Sequence, residues 1–156
     1  MKRKIVEVLF FVEHISRELE AIALIERELK KINPRIRTHI ASLYYEFRTL
    51  GAWLDAKIVV MPFCYGMDLY YKQIVDAFPR ATFVNLAFEQ IFAPISIAGR
   101  VPKDGFSRQA VTHFAWGEDF RLFLSKQGVD TDRIIVNGNL PLSLYTPELR
   151  SLYPSK

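Results

Sequence analysis

Hydrophobic positions along the chain change their period several times, and each change marks an element. Residues 4–12, KIVEVLFFV, are a near-continuous apolar run, the pattern of a strand covered on both faces. Over 16–32 the period lengthens. Ile15, Leu19, Ile22, Ile25, Leu29 and Ile32 recur at spacings of three and four, which draws one apolar stripe along a helix. Ser16 is placed to cap its first turn. Glu18 and Glu20 suit its positive end, Lys30 and Lys31 its negative end, and Asn33-Pro34 stops it. RIRTHIA (35–41) alternates polar and apolar as a more exposed strand does, and a short helix through 43–50 ends at Gly51.

The second half repeats the rhythm. AKIVVMPF (56–63) is a buried strand, followed by a helix over about 68–78 that Pro79 ends. ATFVNLAF (81–88) and AVTHFAW (110–116) are further strands. EDFRLFLSKQG (118–128) is a short helix and DRIIVNGN (132–139) a last strand. Between them, 93–108 holds Pro94, Gly99, Pro102 and Gly105 and reads as a mobile loop. Strands alternating with helices predict a Rossmann-like three-layer α/β/α fold, a doubly wound, mostly parallel sheet of about six strands. One domain spans 1–140, and 141–156 begins a linker.

Ligands bind such a fold at the carboxyl ends of its strands, near a switch in strand order. Those ends carry Glu13, His14 and Arg17; Cys64, Tyr65 and Gly66; Glu89 and Gln90; Trp116 and Gly117; and Asn137, Gly138 and Asn139. Glu89, between Phe88 and Phe92, is either a proton-transfer base with a raised pKa or a loop-bracing carboxylate. Gln90 either orients hydroxyls or braces the 93–108 loop. Arg17 and the free amides beside Glu13 and His14 could hold a phosphate, or Arg17 forms a surface ion pair with Glu20 or Glu13. Trp116 stacks on a sugar face or packs half-buried, and Gly138 supplies a tight turn. Tyr44, Tyr45, Phe47 and Trp53 could form an acceptor or membrane face, or simply pack the 42–53 helix.

Composition narrows the classes. No apolar run approaches the ~20 residues of a membrane span, and Glu7 interrupts the N-terminal run, so a first strand fits better than a signal peptide. A single cysteine, Cys64, excludes an intrachain disulfide, fits a reducing compartment and reads as a buried, inert thiol. The net charge of +4 suits anionic ligands or an anionic membrane surface, and is too weak to argue for nucleic acid. Neither a dinucleotide fingerprint nor a phosphate loop occurs. His14, His39 and His113 lack metal-ligand spacing and read as core or surface histidines. No cofactor is implied. A receiver domain would need a phosphorylatable Asp where the chain has MPFCYG.

Several stretches together carry a resemblance over most of the chain: EHISRELEAIALIERELKK, VNLAFEQ, WGEDFRLFLSKQGVDTDRIIVNGN and LYTPELRSLY. In this order they resemble the N-terminal half of bacterial surface-carbohydrate glycosyltransferases, GT-B enzymes built from two Rossmann-like halves around a cleft. Asn85 to Asn139 is also similar to the corresponding half of sugar-nucleotide 2-epimerases, in which Glu89 falls on a strand-end carboxylate used for proton transfer. The chain departs from the family's G-N-P: GNLPLSLY keeps Gly138 and Asn139 but shifts the proline and lacks the following acid. The resemblance implies the acceptor-binding domain of a cytoplasmic enzyme of capsule or polysaccharide synthesis, peripheral to the inner membrane face. It further implies a nucleotide-sugar donor, a glycan acceptor, and a donor-binding half beyond Lys156 or on a split partner. Half of an epimerase and a non-catalytic binding subunit are the alternatives.

Overall fold

The computed structural model describes residues 3–44, 46–67, 69–88, 90 and 97–139. Glu89, Tyr45 and the expected 141–156 linker lie outside them, as do residues 93–96 of the expected loop. The elements run β1 (Lys4–Val12), α1 (Ile15–Ile32), β2 (Thr38–Ser42), α2 (Phe47–Trp53), β3 (Leu54–Met61), α3 (Leu69–Ala77) and β4 (Thr82–Asn85). A 3₁₀ turn (Ala98–Arg100), α4 (Gly105–Gln109), β5 (Val111–Ala115), α5 (Glu118–Lys126) and β6 (Ile134–Val136) follow. All six strands pair in parallel, in the order β2-β1-β3-β4-β5-β6. The fold is the expected Rossmann-like α/β sheet.

The alternation of side chains across each strand divides the core. Val8, Phe10, Val12 and Val60 pack with Ala21 and Ile22 of α1 on one face. Leu9, Phe11, Val59 and Met61 pack with Leu50 of α2 and Ile74 and Phe78 on the other. Phe120 and Leu124 of α5 close over Ala115 and Ile134. The first connection leaves β1 for β2, and the second returns past β1 to β3. The direction of winding therefore reverses between β1 and β3, where their carboxyl ends open a crevice.

Three local expectations change. The stripe on α1 is buried only in its middle: Ile22 is 0% exposed, whereas Ile15 and Ile32 at the ends are 71% and 83% exposed and overhang the sheet. Gly51 does not stop a helix but lies inside α2, because a Cβ there would meet the Ala77 Cβ at 2.8 Å, so the missing side chain lets α2 close on α3. The loop expected over 93–108 contains a helix, α4. Asp104 caps it, accepting from the Ser107 amide at 2.9 Å while the Ser107 hydroxyl accepts from the Asp104 amide at 3.3 Å.

Candidate functional site at the carboxyl edge

The ends of β1 and β2 build the first group. His14, not Ser16, is the residue before α1, and it offers no side-chain cap. Glu18 reaches back instead: its Oε2 accepts from the Glu13 amide at 2.7 Å and the His14 amide at 3.3 Å. Its Oε1 accepts from Arg17 Nη2 at 2.6 Å and Nε at 3.2 Å. Glu18 is fully buried, so these four donors replace the water it gives up. The amides expected to be free are occupied, and Arg17 pairs with Glu18 and, at 3.6 Å, with Glu13. These groups thus bond to an anion of the chain's own, and the Arg17–Glu13 pair is one of the ion pairs expected as the alternative to phosphate.

Glu13 stays at the rim. The Tyr44 hydroxyl donates to its Oε1, and this bond pushes the Tyr44 phenol up to about 12, keeping it a donor. The His14 Nε2 lies 3.9 Å from Glu13 Oε2, on a ring more than half exposed. The rim of β1 and β2 thus offers a carboxylate, a phenol and an imidazole, groups suited to hydroxyl ligands.

At the switch point, Phe63 lies just beyond β3. The Arg17 guanidinium stands 5.4 Å from its ring centroid and that of Arg100 5.9 Å, so one ring anchors two cations from different segments. Cys64 is fully buried. Tyr65, expected at the ligand, is buried too and stacks on His113 with centroids 5.8 Å apart, so it belongs to the core. Burial pushes its phenol up. Its hydroxyl lacks a hydrogen-bond partner of good geometry, the neighbouring Asn85 amide being committed to His113 and the Cys64 carbonyl. The Lys103 amide donates to the Tyr65 carbonyl at 2.8 Å and the Met67 amide to Asp104 Oδ2 at 2.5 Å, laying residues 103–104 across the start of the β3–α3 connection. Gly66 permits this closeness, since a Cβ would press on Lys103 at 3.2 Å. Burial pushes the Asp104 carboxyl up, but the Ser107 and Met67 amides outweigh it and hold it below the ordinary value.

The ends of β4 and β5 build the second group. Asn85 Nδ2 donates to His113 Nδ1 at 3.1 Å, which leaves the ring proton on Nε2, donated to the Ser107 carbonyl at 2.7 Å. Asn85 Oδ1 accepts from the Ala87 amide at 3.1 Å and holds Ala87 at a φ of 47°, where a residue with a Cβ is rare. The chain turns there toward Gln90. The Gln90 Oε1 accepts from the Trp116 amide at 2.7 Å, and its Nε2 donates to the Phe114 and Ala87 carbonyls at 2.9 and 3.3 Å. Gln90 therefore ties the end of β4 to β5. Beside it, Trp116, Gly117, Glu118, Asp119 and Phe120 complete an open pocket of about 320 Å³. Trp116 is half-buried in that wall. Gly138 has a φ of 79° and makes the turn expected of it. Neither it nor Asn139 lines the pocket.

The carboxyl edge therefore holds two groups, Glu13, His14 and Tyr44 at one end and Trp116 with its acidic neighbours at the other. With β3 and β4 between β1 and β5, they stand about 14 Å apart at ~4.8 Å per strand. Among the described residues no cluster of His, Cys, Asp or Glu could hold a metal ion, and no helix is long and apolar enough to cross a membrane. Of the residues expected at the strand ends, Glu13, His14, Arg17 and Trp116 stand on this edge. Not expected there were Glu18, Arg100, Asp104 and the Asn85–His113 pair. Asp104 with Ser107 was visible as a capping pattern, whereas the others depend on partners distant in sequence. No family model matches the sequence, and neither a curated protein nor a solved structure matches it.

Proposed function

We propose that this chain is the acceptor-binding half of a glycosyltransferase of bacterial surface polysaccharide synthesis. It works with a donor-binding half that brings a nucleotide-sugar to the same cleft. The reading is carried by the Trp116 pocket: an indole wall with carboxylates at its rim, on the working edge of a doubly wound sheet. An indole offers an apolar face to a sugar ring, and carboxylates accept from its hydroxyls. The rim of Glu13, His14 and Tyr44 takes hydroxyls of a further unit of the same glycan. In this proposal Glu89 takes the proton of the attacking hydroxyl, as its resemblance to a strand-end base suggests.

The test uses Trp53→Phe, which leaves Trp116 the sole tryptophan. Titration with neutral methyl glycosides of glucose, galactose, mannose and N-acetylglucosamine should shift the Trp116 emission with at least one of them. Trp116→Ala in the otherwise unaltered chain, followed by calorimetry, should weaken binding of that glycoside by about tenfold, the loss of ~1.4 kcal/mol of contact. An emission unmoved by all four would remove the pocket from the acceptor path.

A further inference from the structure

We infer that Glu18 determines the ligand class of this edge. It is an internal anion that occupies the place a ligand phosphate would take, so the chain admits uncharged polyhydroxyl ligands and refuses phosphorylated ones. This inference rests on the proposed reading in taking the carboxyl edge as the ligand edge. In a doubly wound sheet the turn from the first strand into the first helix gathers free amides, the helix's positive end and a crevice, which together suit a phosphate. Here the same turn carries the Glu13 and His14 amides and the Arg17 guanidinium, a complete phosphate-binding set. All three bond to the buried Glu18 carboxylate, and Arg17 also reaches Glu13 at 3.6 Å. Each of the four contacts has a protein donor facing a Glu18 carboxylate oxygen.

The turn after β3 repeats the arrangement. There the Met67 amide, two residues before α3, is taken by Asp104, a carboxylate delivered from the segment that crosses over it. At the start of α5 the chain places Glu118 and Asp119, which repel an anion from the Trp116 pocket. The turns after β1, β3 and β5 are thus each furnished with an acid of the chain's own. A phosphate entering at β1 would have to displace Glu18 and leave a buried carboxylate without its donors. That weakens phosphate binding by about 10²- to 10³-fold relative to an open turn.

The probes are inorganic pyrophosphate and uridine diphosphate, followed by the ¹H–¹⁵N shifts of the Glu13 and His14 amides. In the wild-type chain neither probe should move these signals at millimolar concentration. Glu18→Ala, which empties the amides and leaves Arg17 in place, should bind pyrophosphate there at least tenfold more tightly than the wild type. Movement of the two amides in the wild type, or a folded Glu18→Ala with no gain, would overturn the inference. If Glu18→Ala does not fold, the wild-type titration alone decides. Sugar binding at Trp116 is read separately by fluorescence, so the proposed function can fail while phosphate exclusion holds, and the reverse.

Discussion

Asn85 and His113 show how much one buried polar pair can arrange. Asn85 fixes the tautomer of His113 with its amide nitrogen and the αL turn at Ala87 with its oxygen, and that turn leads the chain to Gln90. Burial lowers the His113 pKa below its ordinary 6.5, outweighing the Ser107 carbonyl that favours the charged ring. The unfolded chain therefore takes up the proton first as the solution is acidified. Stability should be full above pH 6.5 and fall as the pH drops below it, levelling once the folded ring is also protonated. Melting temperatures between pH 8 and pH 5 should show this decline in the wild type, and His113→Asn should flatten it. Glu7 acts in a separate, lower window. Hydrogen bonds from Arg37 hold its carboxyl at about 2, so its contribution is present above 4.5 and lost toward pH 2. A decline between pH 7 and 5 that survives in His113→Asn would show that another group titrates.

At the scale of elements, α2 packs closely on α3 where Gly51 faces Ala77. Gly51→Ala would ordinarily favour a helix by about 1 kcal/mol. The added methyl would stand 2.8 Å from the Ala77 Cβ, which has no flexible end to move aside. Overpacking of this kind costs about 1–3 kcal/mol and should win, lowering the melting temperature by about 2–4 °C. Pairing it with Ala77→Gly should restore much of the loss, and an undiminished loss in the double variant would place the strain elsewhere. The same glycine shows where the sequence was legible. Apolar runs such as KIVEVLFFV and AKIVVMPF announced buried strands, because burial on both faces leaves a local mark. Gly51 looked like a helix stop because its reason, Ala77, lies 26 positions away. Residues 105–109 looked like loop because two glycines and two prolines in 93–108 outweighed the Asp104–Ser107 cap. Ser16 yielded the capping role to Glu18 because a longer acid reaches two amides at once. At the site, the alternation of elements put Glu13, His14 and Trp116 on the working edge. Strand parity alone could not show that Tyr65 turns inward onto His113, or that Gln90 serves as a brace.

For the molecule as a whole, strand order dictates a sequence of events in time. β1, which precedes the other described strands in the chain, sits inside the sheet and bonds to both β2 and β3. It cannot complete its ladders until the chain has been made as far as Met61. Once that three-stranded unit exists, β4, β5 and β6 should add outward, each on the strand before it. Disassembly should run the same course backwards. β6 has three residues, a single neighbour and two side chains, Ile135 and Val136, open to solvent, so it holds the fewest contacts of the series. Native-state amide exchange should then be slowest in β1 and β3, faster in β5 and fastest in β6. Equal protection across the sheet would mean that it opens as one piece. A ladder of rates would instead make the Trp116 pocket, bordered by β5, the part of the working edge that opens before the crevice at β1 does.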